Sequence, residues 1–408
     1  MDDCSYMKLA LSLAEKGLGH TSPNPMVGAV IVKDGRIIGQ GYHKCYGGPH
    51  AERDALSSCT EPPGGATMYV TLEPCCHHGK QPPCTDAILE AGISRVVVGS
   101  GDPNPLVAGK GIAILRNQGV AVTEHILEKE CTALNQIFFH YIRTGKPYVA
   151  MKYAMTMDGK IAAYTGASKW ITGEEARNHV QTQRLKYRGI MVGLGTVLAD
   201  DPLLTCRIEG GVNPIRIVCD TRLGTPLTSQ IAKTAPQVPT ILATCCADPQ
   251  KQAPYQAQGI TVLTLPEKEG RVDLQALMAK LGEMKIDGIL LEGGAQLNWA
   301  ALESGIVRKV LAYLSPKILG GDTAKSPVGG TGVPLPGQAY VLTDSKITRL
   351  GEDFLIESEL SQNICQESMV CQNVYRESMV CQNVCQESKV NQNVCQESEV
   401  CQNVYRNS

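Results

Sequence analysis

Apolar residues in the first 144 positions alternate between continuous runs of strand length and segments with helical spacing. Residues 5–19 carry apolar positions at helical spacing and predict an amphipathic opening helix. The remaining predicted elements are strands at 27–32, 36–42, 67–72 and 94–99, with a hairpin at Asp34-Gly35, and helices from Pro49, at 86–91 and at 109–118. This alternation predicts a three-layer α/β domain that ends near residue 144.

A second alternation begins after a short polar segment at 143–147. The predicted strands lie at 148–155, 189–193, 215–220, 240–243, 260–265 and 288–292, with helices between several of them. This pattern predicts a mostly parallel sheet, in which ligands bind at the carboxyl ends of the strands. Two of these ends, at 193–196 and 293–294, carry glycines that let backbone amides approach a phosphate. Neither contains a G-x-G-x-x-G fingerprint, so a dinucleotide site and two structural turns are equal alternatives.

The composition changes from about residue 359. Four repeats of ten residues begin at Cys365, Tyr375, Cys385 and Cys395. A period of ten matches neither a solenoid unit nor a heptad, and polar residues dominate, so we expect a disordered tail without a catalytic role. A stacked coil and a metal-binding array are the alternatives, and removal of residues 360–408 should leave catalysis intact. The predicted domains are therefore 1–144 and 146–358, followed by a tail at 359–408.

Composition narrows the class of protein. A chain of 408 residues exceeds one typical core, so two domains are expected. The formal net charge of −2 gives no basic face for nucleic acid. We expect a cytoplasmic protein that does not enter a membrane, because no apolar run approaches about 18 residues and the first residues are acidic where a signal peptide is basic. The 17 cysteines then indicate reduced thiols and metal ligands.

The clearest chemical pattern lies between residues 41 and 84. His50, Cys75 and Cys84 can supply three ligands to one zinc ion whose fourth position stays open for water, and Glu52 can carry that water's proton. His50 and Glu52 lie about 200° apart around a helix axis, so they can share a site only at the start of a helix. H-x-E followed by P-C-x-x-C is the signature of zinc nucleobase deaminases, although eight residues separate the two cysteines here.

Neighbouring side chains leave the ligand set open. Cys76 competes with Cys75, which we expect at the start of a helix, where the positive end of the dipole favours a thiolate. His77 or His78 could add a fourth ligand and close the site, as in structural zinc centres. The joint presence of HAE, PCC and PPC in one α/β domain favours a catalytic site.

Longer motifs extend this pattern over both predicted domains. TSPNPMVGAVIVKDG, GYHKCYGGPHAERDAL, YVTLEPCCHHGKQPPCTDAI and GDPNPLVAGKGI resemble the deaminase half of the bifunctional riboflavin-biosynthesis deaminase/reductase family, which also shows the longer separation between Cys75 and Cys84. KYAMTMDGKIA, SKWIT, VGLGTVLADDP, DTR and LEGGAQLN resemble its reductase half. The resemblance covers residues 1 to about 357. It implies a cytidine-deaminase-like three-layer domain followed by a dihydrofolate-reductase-like α/β domain.

The resemblance also implies two reactions of riboflavin biosynthesis. These are zinc-dependent hydrolytic deamination of 2,5-diamino-6-(5-phosphoribosylamino)pyrimidin-4-one and NADPH-dependent reduction of the ribosyl chain to ribityl. In the first domain it implies zinc binding by His50, Cys75 and Cys84, a proton donor at Glu52 and a pyrimidine contact at Asn24. In the second it implies NADPH contacts at Ala154, Trp170, Thr196, Asp200, Thr221 and Gly294, and substrate contacts at Ser168, Arg184, Leu204, Arg207 and Glu292.

Side-chain chemistry supports part of this assignment. Arg184 and Arg207 suit a phosphate ester, because a guanidinium binds it with two parallel hydrogen bonds, and Trp170 could stack on a flat ring. A solvated surface charge is the alternative for each arginine. Hydride delivery depends on positioning more than on one catalytic base, so the sequence identifies no base in the second domain.

Three other functions remain open from the sequence. A deaminase with an inactive reductase domain would fail to bind NADPH. A nucleic-acid deaminase would release ammonia from an oligonucleotide, and a non-enzymatic zinc scaffold would have a closed four-ligand site. The expected partner is a small-molecule phosphoribosylated pyrimidine, neither nucleic acid nor a membrane, and the sequence is compatible with a homo-oligomer.

Overall fold

A computed structural model describes residues 1–77 and 81–361. The helices are α1 (Asp3–Glu15), α2 (Ala51–Ser57), α3 (Cys84–Glu90), α4 (Lys110–Asn117), α5 (Glu128–Leu134), α6 (Gln136–Thr144), α7 (Glu174–Lys186), α8 (Leu194–Asp200), α9 (Gln230–Lys233), α10 (Pro249–Ala257), α11 (Leu274–Glu283) and α12 (Ala295–Glu303). The strands are β1 (Gly28–Lys33), β2 (Arg36–Tyr42), β3 (Thr67–Leu72), β4 (Arg95–Ser100), β5 (Ala121–Thr123), β6 (Tyr148–Thr156), β7 (Gly189–Gly193), β8 (Ile215–Cys219), β9 (Thr240–Thr244), β10 (Thr261–Thr264), β11 (Glu267–Lys268), β12 (Arg271–Val272), β13 (Gly288–Leu291), β14 (Val307–Ser315), β15 (Leu342–Leu350) and β16 (Asp353–Leu360).

The first sheet has five strands in the order β2-β1-β3-β4-β5. β1 pairs antiparallel with β2 and β3, whereas β3, β4 and β5 run parallel. Successive residues of β1 face opposite sides, so Ala29 and Ile31 join the core that α2, α3 and α4 cover, while Val30 and Val32 join the core of α1 and α5. The structure thus confirms a three-layer domain.

Glycine and turn positions fix the start of this domain. A Cβ atom at Gly28 would overlap the carbonyl oxygen of Ala10, so α1 can lie directly on β1 only because residue 28 has no side chain. Asp34 and Gly35 have φ values of 50° and 75°, as the predicted two-residue hairpin requires.

The bounds of the helices differ from the predicted ones, most clearly around the site residues. The opening helix ends at Glu15, not residue 19. α2 begins at Ala51 and its N-cap is His50, so the prediction that it begins at Pro49 was wrong. Cys84 is the first residue of α3. Cys75 lies in the preceding loop, so its predicted place at a helix start was also wrong.

The second sheet has nine strands in the order β10-β9-β8-β7-β13-β6-β14-β16-β15. The strands from β10 to β14 run parallel, and β16 is antiparallel to β14, which confirms a mostly parallel sheet. Arg216 of β8 is fully buried in this sheet. Its guanidinium donates to the carbonyl oxygens of Leu203, Ile231 and Val238 and to the hydroxyl oxygens of Thr234 and Thr240.

The chain divides into two compact units. The larger unit comprises Met1–Gly332 and Asp344–Glu359, and the smaller one includes Val333–Thr343, with a 3-10 turn at Pro336–Gln338. The decapeptide repeats and the disorder predicted for them lie outside the described residues. Among residues 1–77 and 81–361, every helix is too short or too polar to cross a lipid bilayer.

Candidate active sites

Three ligand-type side chains meet where two helices begin. His50 is the N-cap residue of α2, Cys84 begins α3, and Cys75 lies in the loop after β3. His50 Nδ1 lies 3.4 Å from Cys75 Sγ and 3.4 Å from Cys84 Sγ, and the three ligand atoms all lie within 4.8 Å of one another. The loop folds back onto α3 because Cys84 N donates to Cys75 O at 3.0 Å. The fold therefore brings the three predicted ligands together.

This donor set fits a zinc ion. Hydrogen bonding with the Cys84 thiol is the main cause that lowers the pKa of Cys75, to about 4, and the same interaction raises the pKa of Cys84. The hydrogen bond to Cys75 also raises the pKa of His50. One imidazole and two sulfur atoms at this spacing, one sulfur held as thiolate, match a three-ligand zinc site.

Two of the competing ligands, Cys76 and His77, lie apart from this cluster. Cys76 Sγ lies 3.7 Å from the carbonyl oxygen of Leu106, and within the described part of the chain neither Cys76 nor His77 joins a metal-ligand cluster. His77 lines the adjacent cavity, and its buried Nδ1 has no hydrogen-bond partner among the described residues. His78 lies outside those residues. In the described part, the site has three protein ligands.

Glu52 lies in the first turn of α2, beside the cluster. Its side chain is 4% exposed, and burial, followed by the charge of Cys75, raises its pKa to about 7. His50 and Glu52 both line one cavity, because the site lies at the start of α2 as their spacing required. A carboxyl group with a pKa near neutrality can both accept and release a proton.

A cavity of about 350 Å³ adjoins the cluster, and Asn24 lines it. Asn24 Nδ2 lies 3.2 Å from Nε2 of His43, whose Nδ1 lies 2.9 Å from the carbonyl oxygen of Pro49. Since a carbonyl oxygen only accepts, Nδ1 carries the proton, and burial lowers the pKa of His43 so that the ring stays neutral. Nε2 therefore accepts from the Asn24 amide, which fixes the orientation of Asn24.

Two carboxylates at this site were not identified from the sequence. Asp102 follows β4 and lines the cavity, and burial raises its pKa to about 6. Glu73 follows β3 and accepts from the backbone nitrogens of Asp102, Gly109 and Ile112 at 3.4, 3.0 and 3.3 Å. It thereby ties the loop that carries Asp102 to the end of β3. Each of these residues follows one of two neighbouring parallel strands, so both lie at the same edge of the sheet. Their position directly after predicted strands was the signal by which the sequence could have identified them.

A second cavity, of about 1670 Å³, lies at the carboxyl ends of the second sheet. Every residue predicted for the reductase half lines it: Ala154, Ser168, Trp170, Arg184, Thr196, Asp200, Leu204, Arg207, Thr221, Glu292 and Gly294. The two glycine-bearing turns meet because β7 and β13 are neighbours, and a Cβ atom at Gly294 would lie 3.4 Å from Thr196 Oγ1. Gly294 is the N-cap of α12, where free backbone amides suit a phosphate.

A buried charge cluster lies in the wall of this cavity. Glu292 Oε1 and Oε2 accept from Arg184 Nε and Nη2 at 2.9 and 3.1 Å, and Lys152 Nζ lies 3.5 Å from Oε2. Nε and Nη2 of Arg184 thus already donate to a carboxylate, which argues against the predicted two-bond contact of this guanidinium with a phosphate. Arg207 is exposed and keeps that option.

Trp170 is 60% exposed in this cavity. The Arg177 guanidinium lies 4.7 Å from the centre of its ring. A stacking ligand would therefore contact the ring face that Arg177 leaves uncovered. Arg177 was not identified from the sequence, because nothing in its local pattern marks it as a ligand-contacting residue.

The fold and the two sites define a two-domain enzyme with a metal-binding hydrolytic domain and a nucleotide-binding domain. Residues 1–100 match the family described as cytidine and deoxycytidylate deaminase zinc-binding region, and residues 147–356 match the RibD C-terminal domain. The riboflavin biosynthesis protein RibD of Actinobacillus pleuropneumoniae is 54% identical over 357 residues, covering 88% of this chain and 95% of the relative. That of Escherichia coli is 41% identical over 335 residues, covering 79% and 90%.

Solved structures agree with these relatives. The structure of Acinetobacter baumannii RibD matches with a TM-score of 0.80 at 37% identity, covering 88% of this chain and 99% of that one. A Thermotoga maritima enzyme matches with a TM-score of 0.76 at 38% identity and the same coverage. The chain belongs to the RibD family of riboflavin biosynthesis proteins. This membership confirms the predicted fold class, the bifunctional deaminase and reductase enzyme, and the cofactors Zn²⁺ and NADPH.

Proposed function

We propose that this chain catalyses two consecutive steps of riboflavin biosynthesis. The first is hydrolytic deamination of 2,5-diamino-6-(5-phosphoribosylamino)pyrimidin-4-one, and the second is reduction of the ribosyl chain to ribityl. The Thermotoga maritima structure is described as a diaminohydroxyphosphoribosylaminopyrimidine deaminase and 5-amino-6-(5-phosphoribosylamino)uracil reductase, which supports this substrate. We assign the first step to residues 1–144, the second to 146–358, and neither to 359–408.

The observation that carries the deaminase proposal is the cluster of His50, Cys75 and Cys84 beside buried Glu52. Zinc bound by these three residues would supply Lewis-acid activation of a water molecule. Glu52 accepts one proton of that water as the water oxygen bonds to the ring carbon that carries the amino group. Glu52 then donates this proton to the amino nitrogen, the C–N bond breaks, and ammonia leaves. Asn24, held through its amide nitrogen by His43, keeps its carbonyl oxygen available to an amino group of the pyrimidine.

The reductase proposal rests on the single cavity that collects all eleven predicted residues. NADPH would supply the hydride. In our assignment Ala154, Trp170, Thr196, Asp200, Thr221 and Gly294 contact NADPH, and Ser168, Arg184, Leu204, Arg207 and Glu292 contact the substrate. The Arg184 contact uses the remaining N–H groups of Nη1 and Nη2, because Glu292 and the carbonyl oxygen of Thr205 accept the other hydrogen bonds of this guanidinium. These residues orient the sugar chain toward the nicotinamide, and Arg207 is the side chain best placed for the phosphate.

Two variants test the deaminase assignment together. Glu52→Gln should retain zinc and lose roughly 10²- to 10⁴-fold in ammonia release. Cys84→Ser should lose both zinc and ammonia release. Zinc content by atomic absorption and ammonia release are measured on the same samples. Normal ammonia release from Glu52→Gln would remove Glu52 from the mechanism. NADPH oxidation after addition of the diamino substrate, absent in Glu52→Gln, would show that reduction follows deamination.

The same proposal covers partners and location. All eleven cysteines among the described residues are unpaired, as in a reducing compartment, which supports the cytoplasm. A cavity of about 350 Å³ and a net charge of −2 favour a small molecule over nucleic acid or a membrane surface. Exposed apolar side chains of Met157, Tyr164 and Ile318 support a homo-oligomer, which light scattering would detect.

A further inference from the structure

The deaminase cavity is not built by the first domain alone. Lys285, in the turn between α11 and β13 of the second domain, lines it together with Glu52 and Asn24. Among the described lining residues, Lys285 is the only lysine or arginine, whereas Glu52, Glu73 and Asp102 supply carboxyl groups. Within the described part of the chain, no hydrogen bond or ion pair engages the Lys285 ammonium group. The second domain therefore supplies this cavity with a free cation.

Close contacts with Tyr141 and Gly145 hold the turn that carries Lys285 in place. Tyr141, another lining residue, donates from its hydroxyl group to the carbonyl oxygen of Gly282 at 3.0 Å. A Cβ atom at Gly282 would overlap the carbonyl oxygen of Gly145, so the end of α11 lies directly against the chain that joins the two domains. Lys285 N then donates to Gly282 O at 2.9 Å, which closes the turn.

A second contact connects the same turn to the segment that carries Asn24. Ser22 Oγ donates to Asp287 Oδ1 at 2.7 Å, and Asp287 is 4% exposed. The backbone oxygen of Asp287 accepts from Tyr148 N at 2.7 Å, which anchors Asp287 to the second sheet. Ser22 directly precedes Pro23 and Asn24, which line the cavity. Asp287 thus fixes the segment that presents Asn24.

We propose that residues 285–287 of the second domain are a working part of the deaminase site. Lys285 binds the phosphate group of the substrate, and Asp287 positions Asn24 through Ser22. The inference rests on the proposed function, because that function gives the substrate a phosphate ester. A phosphate dianion needs a cation near it, and a charged hydrogen bond to an ammonium group is among the stronger polar contacts in proteins.

The phosphate assignment is tested by steady-state ammonia release from the phosphorylated substrate and from its dephosphorylated riboside. Lys285→Gln should raise KM for the phosphorylated substrate roughly tenfold to a hundredfold and leave kinetics with the riboside unchanged. Lys285→Arg should restore most of the loss. Lys280→Gln is the matched control, because Lys280 is exposed on α11, pairs with Glu283 at 2.8 Å and does not line the cavity.

Substitutions of Ser22, the partner of Asp287 in the first domain, test the positioning role of Asp287. Ser22→Ala should lower kcat/KM equally for the phosphorylated substrate and the riboside, and Ser22→Thr should restore it. NADPH oxidation with the deaminated intermediate, supplied directly, should stay normal in both variants and so report an intact second domain.

Three results would overturn the inference. An unchanged KM in Lys285→Gln, or an equal loss with the riboside, would remove the phosphate contact. Unchanged kinetics in Ser22→Ala would remove the positioning role. A wild-type protein that releases no ammonia from either substrate would instead refute the proposed function, and the inference would fall with it.

Discussion

Replacement of Glu292 by glutamine should destabilise the second domain in a pH-dependent way. The Glu292 carboxylate lies between Arg184 and Lys152, and the side chains of Glu292 and Arg184 are each 11% exposed. Glutamine keeps the size of the side chain but removes its charge. Two buried cations would then lose their shared counterion, a change that is far more costly inside a protein than at its surface.

The expected loss in the free energy of unfolding follows from the pKa of Glu292. Burial by itself raises this pKa, but the charges and hydrogen bonds of Arg184 and Lys152 outweigh burial and lower it from 4.5 to about 2. One pKa unit corresponds to about 1.4 kcal/mol, so the ionised group contributes on the order of 3 kcal/mol to the free energy of unfolding. Because the folded pKa is the lower one, this contribution is complete above pH 4.5 and is lost as the pH falls toward 2.

Tryptophan fluorescence during urea unfolding measures this effect in one domain. The chain has only two tryptophans, Trp170 and Trp299, and both lie in the second domain. Glu292→Gln should lower the free energy of unfolding by about 3 kcal/mol at neutral pH and by about 2 kcal/mol near pH 3.5. Glu283→Gln, which removes an exposed pair with Lys280, should cost at most about 1 kcal/mol at either pH.

A loss in Glu292→Gln that stays constant between these pH values would refute the reasoning, because a charge effect must shrink as wild-type Glu292 becomes protonated. A loss below about 1 kcal/mol at neutral pH would also refute it, since it would place the carboxylate in an environment equivalent to solvent.

Three further predictions concern other parts of the molecule. Arg216→Met should lower the free energy of unfolding by more than about 3 kcal/mol, measured by urea unfolding, because the carbonyl oxygens of Ile231 and Val238, both in buried hydrogen bonds, lose their donor. Gly28→Ala should destabilise the first domain by about 1–3 kcal/mol in calorimetry, because the added methyl group overlaps the backbone of α1. A zinc chelator should abolish ammonia release and leave NADPH oxidation on the deaminated intermediate unchanged, and added zinc should restore the first activity.

Continuous apolar runs between turn residues were enough to predict the central strands. The predicted bounds of 67–72 and 189–193 coincide with β3 and β7. The strands of the far edge were not predicted, for identifiable reasons. Arg308 and Lys309 interrupt the apolar pattern of β14, where its register with β6 also shifts, and most of β15 is exposed and polar. Their pairing depends on neighbouring strands rather than on a local pattern.

The residues of the candidate sites also divide into those that the sequence predicts and those that it does not. His50, Cys75 and Cys84 could be predicted because their chemistry and spacing are specific, and the structure brings them together. The partner of Arg184 could not, because Glu292 is 108 residues away and only the sheet order brings the two together. Lys285 gave no signal at all, since its local sequence is that of an ordinary helix end.

Both candidate sites involve β13, because the residues at its two ends border different cavities. β13 has four residues, with the turn of Lys285 and Asp287 before it and Glu292 directly after it. Ligands of parallel sheets bind at the carboxyl ends of strands, and Glu292 lies at such an end. The opposite end usually serves packing alone, yet here it borders the deaminase cavity. At about 3.3 Å per residue, the five steps from Asp287 to Glu292 span roughly 17 Å. A shift of β13 along its axis would therefore disturb both cavities, so selection on either activity constrains the same short strand.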